Sequence, residues 1–244
     1  METPAFLDGI AFPVVVAHRG ASDRALENSL AAISLAVADR ADMIEFDVRI
    51  SVDGQAVILH DTRTGRTGRE NIVIAGSTSD RLRRVRLKNG EPLPFLADAL
   101  DLVRGAVPIN VHVKTAGGMA AVCDSLAATG YRGSVALSSG LREECLAART
   151  LRPDLACGLV TARPSSSDIA FCLRYSLPSI HPDHRKLSLL RVRKVKSAGL
   201  LLIPYTVDEP DLFFRLVEGG ADGVFSNRAE TVRAAWRKRE RGGM

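Results

Sequence analysis

Short apolar runs alternate with amphipathic stretches throughout this 244-residue chain, and that alternation constrains its fold more than any other feature. Strands are expected at 14–17, 43–50, 109–113, 135–138, 156–160, 179–181, 201–205 and 223–225. Helices are expected between and after them at 29–38, 95–104, 119–129, 141–151, 168–175, 187–197, 209–218 and 229–239. The first helix carries Leu30, Ile33 and Val37 on one face, with Asn28 or Ser29 available as its cap. The seventh is punctuated by Asp208 as cap, Pro210 in the first turn and Gly219-Gly220 at the exit. Strict strand–helix alternation over eight units argues an α/β chain closed into a (β/α)8 barrel. The rival is a doubly wound open sheet, against which stands the absence of a GxGxxG after the first strand.

One region breaks the pattern. An extra strand is expected at 56–60, and residues 61–92 after it are rich in Arg, Gly, Thr and Ser. A connection that long inside a compact domain is usually functional or an inserted subdomain. The whole chain, 1–244, is therefore expected to be a single barrel domain with a small insertion at about 61–92, above the face where strands end. Hydrophobic content of 46% and charged content of 25% are ordinary for a soluble protein. The N-terminus has no basic region before an apolar run, and no stretch is long enough to span a bilayer, so neither a secretory leader nor membrane insertion is expected. Cys123, Cys145, Cys157 and Cys172 form no CxxC pair and read as small buried hydrophobes, which points to the cytoplasm. The net charge of +5 gathers in RLRRVRLK (81–88), RVRKVK (191–196) and RAAWRKRER (233–241). These read as solvated faces, and no nucleic-acid partner is expected.

Chemistry-bearing residues collect at strand ends. In the strand at 43–50, Ile44, Phe46 and Val48 point toward the helices while Glu45 and Asp47 point inward. Two inward carboxylates require a partner: a hard divalent cation, or a salt-bridge layer with Arg19 or Lys114. His18 and Arg19 end the first strand, at the mouth where such barrels hold their sites. His60 ends a strand joined to the Glu45/Asp47 strand by the Asp53-Gly54 turn, and two histidines near two carboxylates make an acid/base pair. Asn110, His112 and Lys114 share a face of the strand at 109–113. Arg19 suits bidentate phosphate recognition, and Lys114 is either a second phosphate ligand or a counter-ion for the carboxylates. Thr115–Gly118 and Ser138–Gly140 offer backbone donors, His181 and His184 read as surface-loop residues, and Trp236 as an anchor for the last helix.

AHRG, Glu27-Asn28, IEFDV, the DG turn, HD at 60–61, the strand ending in VK and the segment YTVDEPDLFFRLVEGGADGVFSN together resemble the glycerophosphodiester phosphodiesterase family nearly end to end. The resemblance implies a TIM barrel with an insertion after the HD strand, and divalent-metal hydrolysis of a small-molecule glycerophosphodiester to an alcohol and glycerol 3-phosphate. It implies His18 and His60 as the acid/base pair, Glu45 and Asp47 as metal ligands, Arg19 and Lys114 on the phosphate, and Glu27 and Asn28 in support. It suggests attack by a substrate hydroxyl, one histidine taking its proton and the other protonating the leaving alkoxide, followed by opening of a cyclic intermediate. Spacing does not distinguish this from direct attack by water.

This chain departs from the family pattern in four places. His112 stands where the family has a third carboxylate ligand, which shifts preference from Mg²⁺ or Ca²⁺ toward Mn²⁺ or Zn²⁺ if the imidazole ligates. Leu26 replaces a proline, and Tyr205 replaces a tryptophan while still offering a flat ring at the mouth to pack against the substrate's glycerol or head group. Ser226-Asn227 replaces Thr-Asp. Two alternatives follow: a divergent phosphodiesterase or lyase acting on a lysophospholipid or sugar phosphodiester, and a barrel that binds phosphodiesters without turnover.

Overall fold

The structure, a computed structural model, describes residues 12–242; residues 1–11, on which the expectation about a leader rests, lie outside it. Its strands are β1 (Val14–His18), β2 (Met43–Ile50), β3 (Ala56–Ile58), β4 (Ile109–Val113), β5 (Val135–Ser139), β6 (Ala156–Thr161), β7 (Ser179–Pro182), β8 (Leu201–Leu202) and β9 (Gly223–Ser226). The helices are α1 (Leu30–Ala38), α2 (Ser79–Leu82), α3 (Leu96–Val103), α4 (Gly118–Ala128), α5 (Arg142–Leu151), α6 (Ser166–Arg174), α7 (Leu189–Ser197), α8 (Pro210–Glu218) and α9 (Ala229–Gly242). All strands but β3 run parallel, in the order β8-β7-β6-β5-β4-β2-β1-β9, while β3 pairs antiparallel with β2. Closure between β8 and β9 rests on single backbone bonds, Asp222 N–H to Leu202 O at 2.8 Å and Phe225 N–H to Pro204 O at 2.9 Å. The fold is the expected TIM barrel, nearly closed.

The core has the two layers that strand alternation requires. Ile44, Phe46 and Val48 of β2 join Val111 and Val113 of β4 in the large cluster beneath the helices. Val14, Val16, Met43, Ala136, Ile203 and Phe225 fill the barrel interior. Strand β1 leads into α1 through Gly20, where a Cβ would meet the Ala32 carbonyl carbon at 2.6 Å and φ is +81°. Only glycine fits there. Ser29 caps α1, its Oγ accepting the Ala32 N–H at 3.1 Å. Helix α8 has Pro210 in its first turn as expected but begins one residue late, with Glu209 and not Asp208 as its N-cap, and Glu209 makes no side-chain cap bond. Asp208 is spent elsewhere, as described below.

Residues 61–92 hold two 3₁₀ turns (Thr64–Arg66 and Ile74–Gly76) and α2. Ile72, Ile74, Leu82, Val85 and Leu87 pack with Val57, Leu59, Leu93 and Phe95 into a cluster separate from the barrel core. The segment is thus held by its own apolar contacts at the open end of β3.

Candidate active site

A cavity of about 420 Å³ opens at the C-terminal ends of the strands. Its wall includes His18, Arg19, Glu45, Asp47, His60, His112, Lys114 and Tyr205, eight of the ten residues singled out from sequence. The other two, Glu27 and Asn28, contact residues of this wall. Strand register explains the convergence: His18 pairs with Glu45 across β1 and β2, and Asp47 with His112 across β2 and β4.

Glu45 and Asp47 are buried, at 2% and 1% exposure. Burying carboxylates is costly without hydrogen bonds or opposite charge. Asp47 has both, accepting from Asn28 Nδ2 at 3.0 Å and lying 3.1 Å from Arg19 Nε, 3.1 Å from His112 Nδ1 and 3.4 Å from Lys114 Nζ. Burial opposes its charge, but the bond to His112 and the surrounding cations hold its carboxyl well below the ordinary range. Glu45 accepts the Arg19 backbone N–H at 2.9 Å. Burial, and then the charge on Asp47, push its carboxyl up to about 8. Like charges this close resist ionising together.

Both structures foreseen for the carboxylates are therefore combined here. Arg19 and Lys114 are counter-ions of Asp47, and Glu45, Asp47 and His112 also bring three ligand atoms within 4.8 Å of one another. Two carboxylates and an imidazole, the latter held below its ordinary value mainly by burial, make a donor set that fits a divalent cation.

Each of the two candidate acid/base histidines is anchored through Nδ1. His18 Nδ1 lies 2.8 Å from Asn227 Oδ1, and His60 Nδ1 lies 2.6 Å from Asp61 Oδ1. Asn227 in turn gives its Nδ2 protons to Asp208 Oδ2 at 2.9 Å and its backbone N–H to Asp208 Oδ1 at 2.7 Å. A carboxylate only accepts, so the amide nitrogen faces Asp208 and its oxygen faces His18. Nδ1 of His18 is thereby the protonated nitrogen. Burial, then the neighbouring Arg19 charge, lower His18 to about 4. His60 is half-buried and is lowered by burial, with Asp61 favouring its protonated form. The supports reach further: Arg49 Nε donates to the His60 carbonyl at 2.9 Å and Arg49 Nη1 to the Lys114 carbonyl at 3.3 Å. Arg19 itself sits at φ +60°, a conformation that directs its N–H at Glu45.

A family model described as the glycerophosphoryl diester phosphodiesterase family matches residues 18–231. The chain belongs to that family. The enzyme class read from the motifs, a phosphoric diester hydrolase, is the family's own. A glycerophosphodiester phosphodiesterase of Caldanaerobacter subterraneus is 26% identical over 232 residues, covering 90% of this chain and 96% of the relative. A probable glycerophosphodiester phosphodiesterase 2 of Mycobacterium tuberculosis is 30% identical over 242 residues, covering 90% and 89%. Among solved structures, an Oleispira antarctica phosphodiesterase in complex with the product sn-glycerol-3-phosphate superposes with a TM-score of 0.86 at 25% identity, covering 93% of this chain and 97% of that one.

Within this phosphodiesterase barrel, two histidines occupy places that sequence reasoning did not assign. His181, on β7, and His184, in the turn after it, both belong to the cavity wall. His181 is 3% exposed on β7, its Nε2 3.0 Å from Ser179 Oγ, and its ring fills space left by Gly158, where a Cβ would meet Cε1 at 2.5 Å. Burial lowers it to about 3. Ser179, Ile180 and His181 alternate in facing, and that period of two was the available signal. His184 Nδ1 lies 3.1 Å from the Tyr205 carbonyl and ties the β7 and β8 ends together.

Of the two segments that offered backbone donors, Thr115–Gly118 is committed internally through Glu144, and in Ser138–Gly140 the serine hydroxyls are engaged. Glu144 takes the N–H groups of Gly117 and Met119 at 2.5 and 2.7 Å, and the Ser138 and Ser139 hydroxyls donate to Asn110 Oδ1 and the Val113 carbonyl, each at 2.7 Å.

Proposed function

We propose that this barrel hydrolyses a glycerophosphodiester to an alcohol and glycerol 3-phosphate, with His18 and His60 transferring the protons. The observation that carries this reading is the pair of histidines on one cavity wall, each with Nδ1 held by an oxygen acceptor, beside the Glu45–Asp47–His112 set, whose two carboxylates are buried. A neutral imidazole with protonated Nδ1 presents a lone pair at Nε2, which is what a general base requires. His18, lowered to about 4, is such a base at neutral pH. His60 is the second candidate and takes the acid role: burial lowers it, and Asp61 opposes that lowering by accepting at Nδ1.

A hydroxyl of the glycerol moiety attacks phosphorus as its proton passes to His18 Nε2, while His60 gives a proton to the departing alkoxide oxygen. Water then opens the cyclic phosphate, with the two histidines exchanging roles. Arg19 and Lys114 hold the phosphate oxygens, and Tyr205 packs against the glycerol or head group. Glu27 and Asn28 keep Arg19 and Asp47 in place. Glu45, Asp47 and His112 would hold a divalent cation, which supplies Lewis-acid polarisation and charge neutralisation at the phosphate. The substrate is a small molecule and not a nucleic acid. Among the described residues no helix is long and apolar enough to cross a membrane. The cytoplasm suits four cysteines that form no disulfide.

The test is release of glycerol 3-phosphate from a panel of glycerophosphodiesters by metal-stripped protein, then with Mg²⁺, Ca²⁺, Mn²⁺ or Zn²⁺ restored. Metal-dependent release is expected, with His18→Ala and His60→Ala each lowering kcat by about 10²- to 10⁴-fold while circular dichroism is unchanged. A cyclic phosphate as sole product would make the enzyme a lyase. Wild-type rates in either histidine variant would remove that residue from the chemistry.

A further inference from the structure

We propose that Arg66, contributed by the inserted segment, is a positioning residue that sets the geometry of His60 and Arg19 together. The inference rests on the functional reading above for the roles of those two residues. The Arg66 guanidinium makes three hydrogen bonds to two carboxylates: Nε to Asp61 Oδ2 at 2.6 Å, Nη1 to Glu27 Oε2 at 2.6 Å and Nη2 to Glu27 Oε1 at 2.7 Å. Each carboxylate is also bonded to a residue of the site. Asp61 Oδ1 lies 2.6 Å from His60 Nδ1, and Glu27 Oε1 accepts from Arg19 Nη1 at 2.7 Å. One planar group therefore joins the segment after β3 to the loop after β1.

A lone ion pair at a surface would carry little weight. This one differs in geometry and in anchoring. The fork of a guanidinium fits two carboxylates at once, which an ammonium does not reproduce. Arg66 closes a 3₁₀ turn fixed by Thr64, whose N–H donates to the Ile72 carbonyl and whose Oγ1 accepts the Ile72 N–H, both at 2.9 Å. Ile72 belongs to the segment's own apolar cluster, so that cluster holds Arg66 in place. Without Arg66, Glu27 has Arg19 as its remaining cationic partner in this network and draws it from the phosphate position. Asp61 loses the bond that fixes the rotation of its carboxylate, and with it the direction of the His60 ring.

The two arms have separate kinetic signatures. The Asp61 arm acts on proton transfer and lowers kcat, whereas the Glu27 arm acts on phosphate binding and raises KM. Arg66→Ala is expected to lower kcat by about 10- to 100-fold, the scale of a misplaced catalytic group, and to raise KM. Asp61→Asn should reproduce the kcat loss and Glu27→Gln the KM change, and each should overlap with Arg66→Ala in a double-mutant cycle instead of adding to it. Guanidinium ion in the assay should restore part of the rate to Arg66→Ala and nothing to His60→Ala. Arg66→Lys should recover only part of the loss.

A readout independent of turnover is the NMR resonance of the His60 Nδ1 proton, assigned with His60→Gln; it should broaden or vanish in Arg66→Ala. Retention of that resonance, kcat and KM within about twofold of wild type in Arg66→Ala or Arg66→Lys, or additive losses would overturn the clamp. Wild type and His60→Ala are run alongside. An inactive wild type, or an active His60→Ala, sinks the functional reading and leaves the resonance to decide the clamp. An active wild type and inactive His60→Ala beside a near-normal Arg66→Ala sinks the clamp alone.

Discussion

Asp208 sets the tautomer of His18 without bonding to it. The Asp208 carboxylate takes the Asn227 amide nitrogen at 2.9 Å, which turns the amide oxygen toward His18 Nδ1 at 2.8 Å. The arrangement lets a neutral amide, not a charge, orient the ring, so the imidazole stays uncharged and its Nε2 lone pair stays available.

Removing that amide should therefore cost rate more than affinity. Asn227→Ala is expected to lower kcat by about 10- to 100-fold with KM little changed. Asp208→Ala, which frees the amide to flip, should give a smaller loss in the same parameter. Steady-state kinetics on both variants checks this; a change confined to KM would mean that Asn227 touches substrate instead.

His112→Glu should move the metal preference toward Mg²⁺ and Ca²⁺ by restoring a third carboxylate at a site where Asp47 lies 3.1 Å from the imidazole. Titration calorimetry of the metal-stripped protein, alongside the metal dependence of kcat/KM, reads the shift. An unaltered ranking of ions would show that His112 is not a ligand.

Two histidines buried in the neutral state make the fold sensitive to acid. His181 is lowered by burial from 6.5 to about 3, and His18 to about 4. The unfolded chain takes up protons below about 6.5 that the folded chain refuses, so stability rises with pH between the folded and unfolded values and is lost as pH falls through that window. Each group contributes a slope of about 1.4 kcal/mol per pH unit between its two values. Urea unfolding between pH 7 and 4 should show a shallower loss for His181→Gln than for wild type. Parallel curves would mean that His181 is not neutral in the folded state.

Glu144 offers a test of stability outside the cavity. It is buried and holds two N–H groups at the start of α4. Glu144→Ala leaves both donors unpaired and should destabilise by about 1–3 kcal/mol. Glu144→Gln, which keeps an acceptor, should cost less. Urea unfolding with an unchanged m-value distinguishes this loss from a change in the unfolded chain.

The eight strand–helix units were legible because buried parallel strands and their covering helices impose two different periods on the chain. The expected strand at 201–205 is regular only over Leu201–Leu202, although the N–H groups of Ile203 and Tyr205 still donate to the Ile180 and Pro182 carbonyls at 3.1 and 2.8 Å. The expected strand at 56–60 is likewise shorter, Ala56–Ile58. The cavity residues of β1, β2 and β4 were legible for the same reason, as inward positions of alternating strands. Asn227, Asp208 and Arg66 were not, because their value lies in partners far off in sequence: Asn227 and His18 are 209 positions apart, Arg66 and Glu27 39. Asp208 resembled a helix cap because caps and amide anchors use the same short carboxylate. The insertion's core was equally hidden, its leucines and isoleucines obeying neither period and meeting Val57 and Phe95 only in space.

Strands β1 and β9 are neighbours, with Ala17 opposite Ser226, so His18 stands at the start of the barrel and its Asn227 anchor at the end. A chain emerging from the ribosome exposes His18, Glu45, Asp47, His60 and His112 long before residue 227 is made. The nascent barrel thus carries its charged groups early, but the His18 ring gains its Asn227 partner only when the last strand docks.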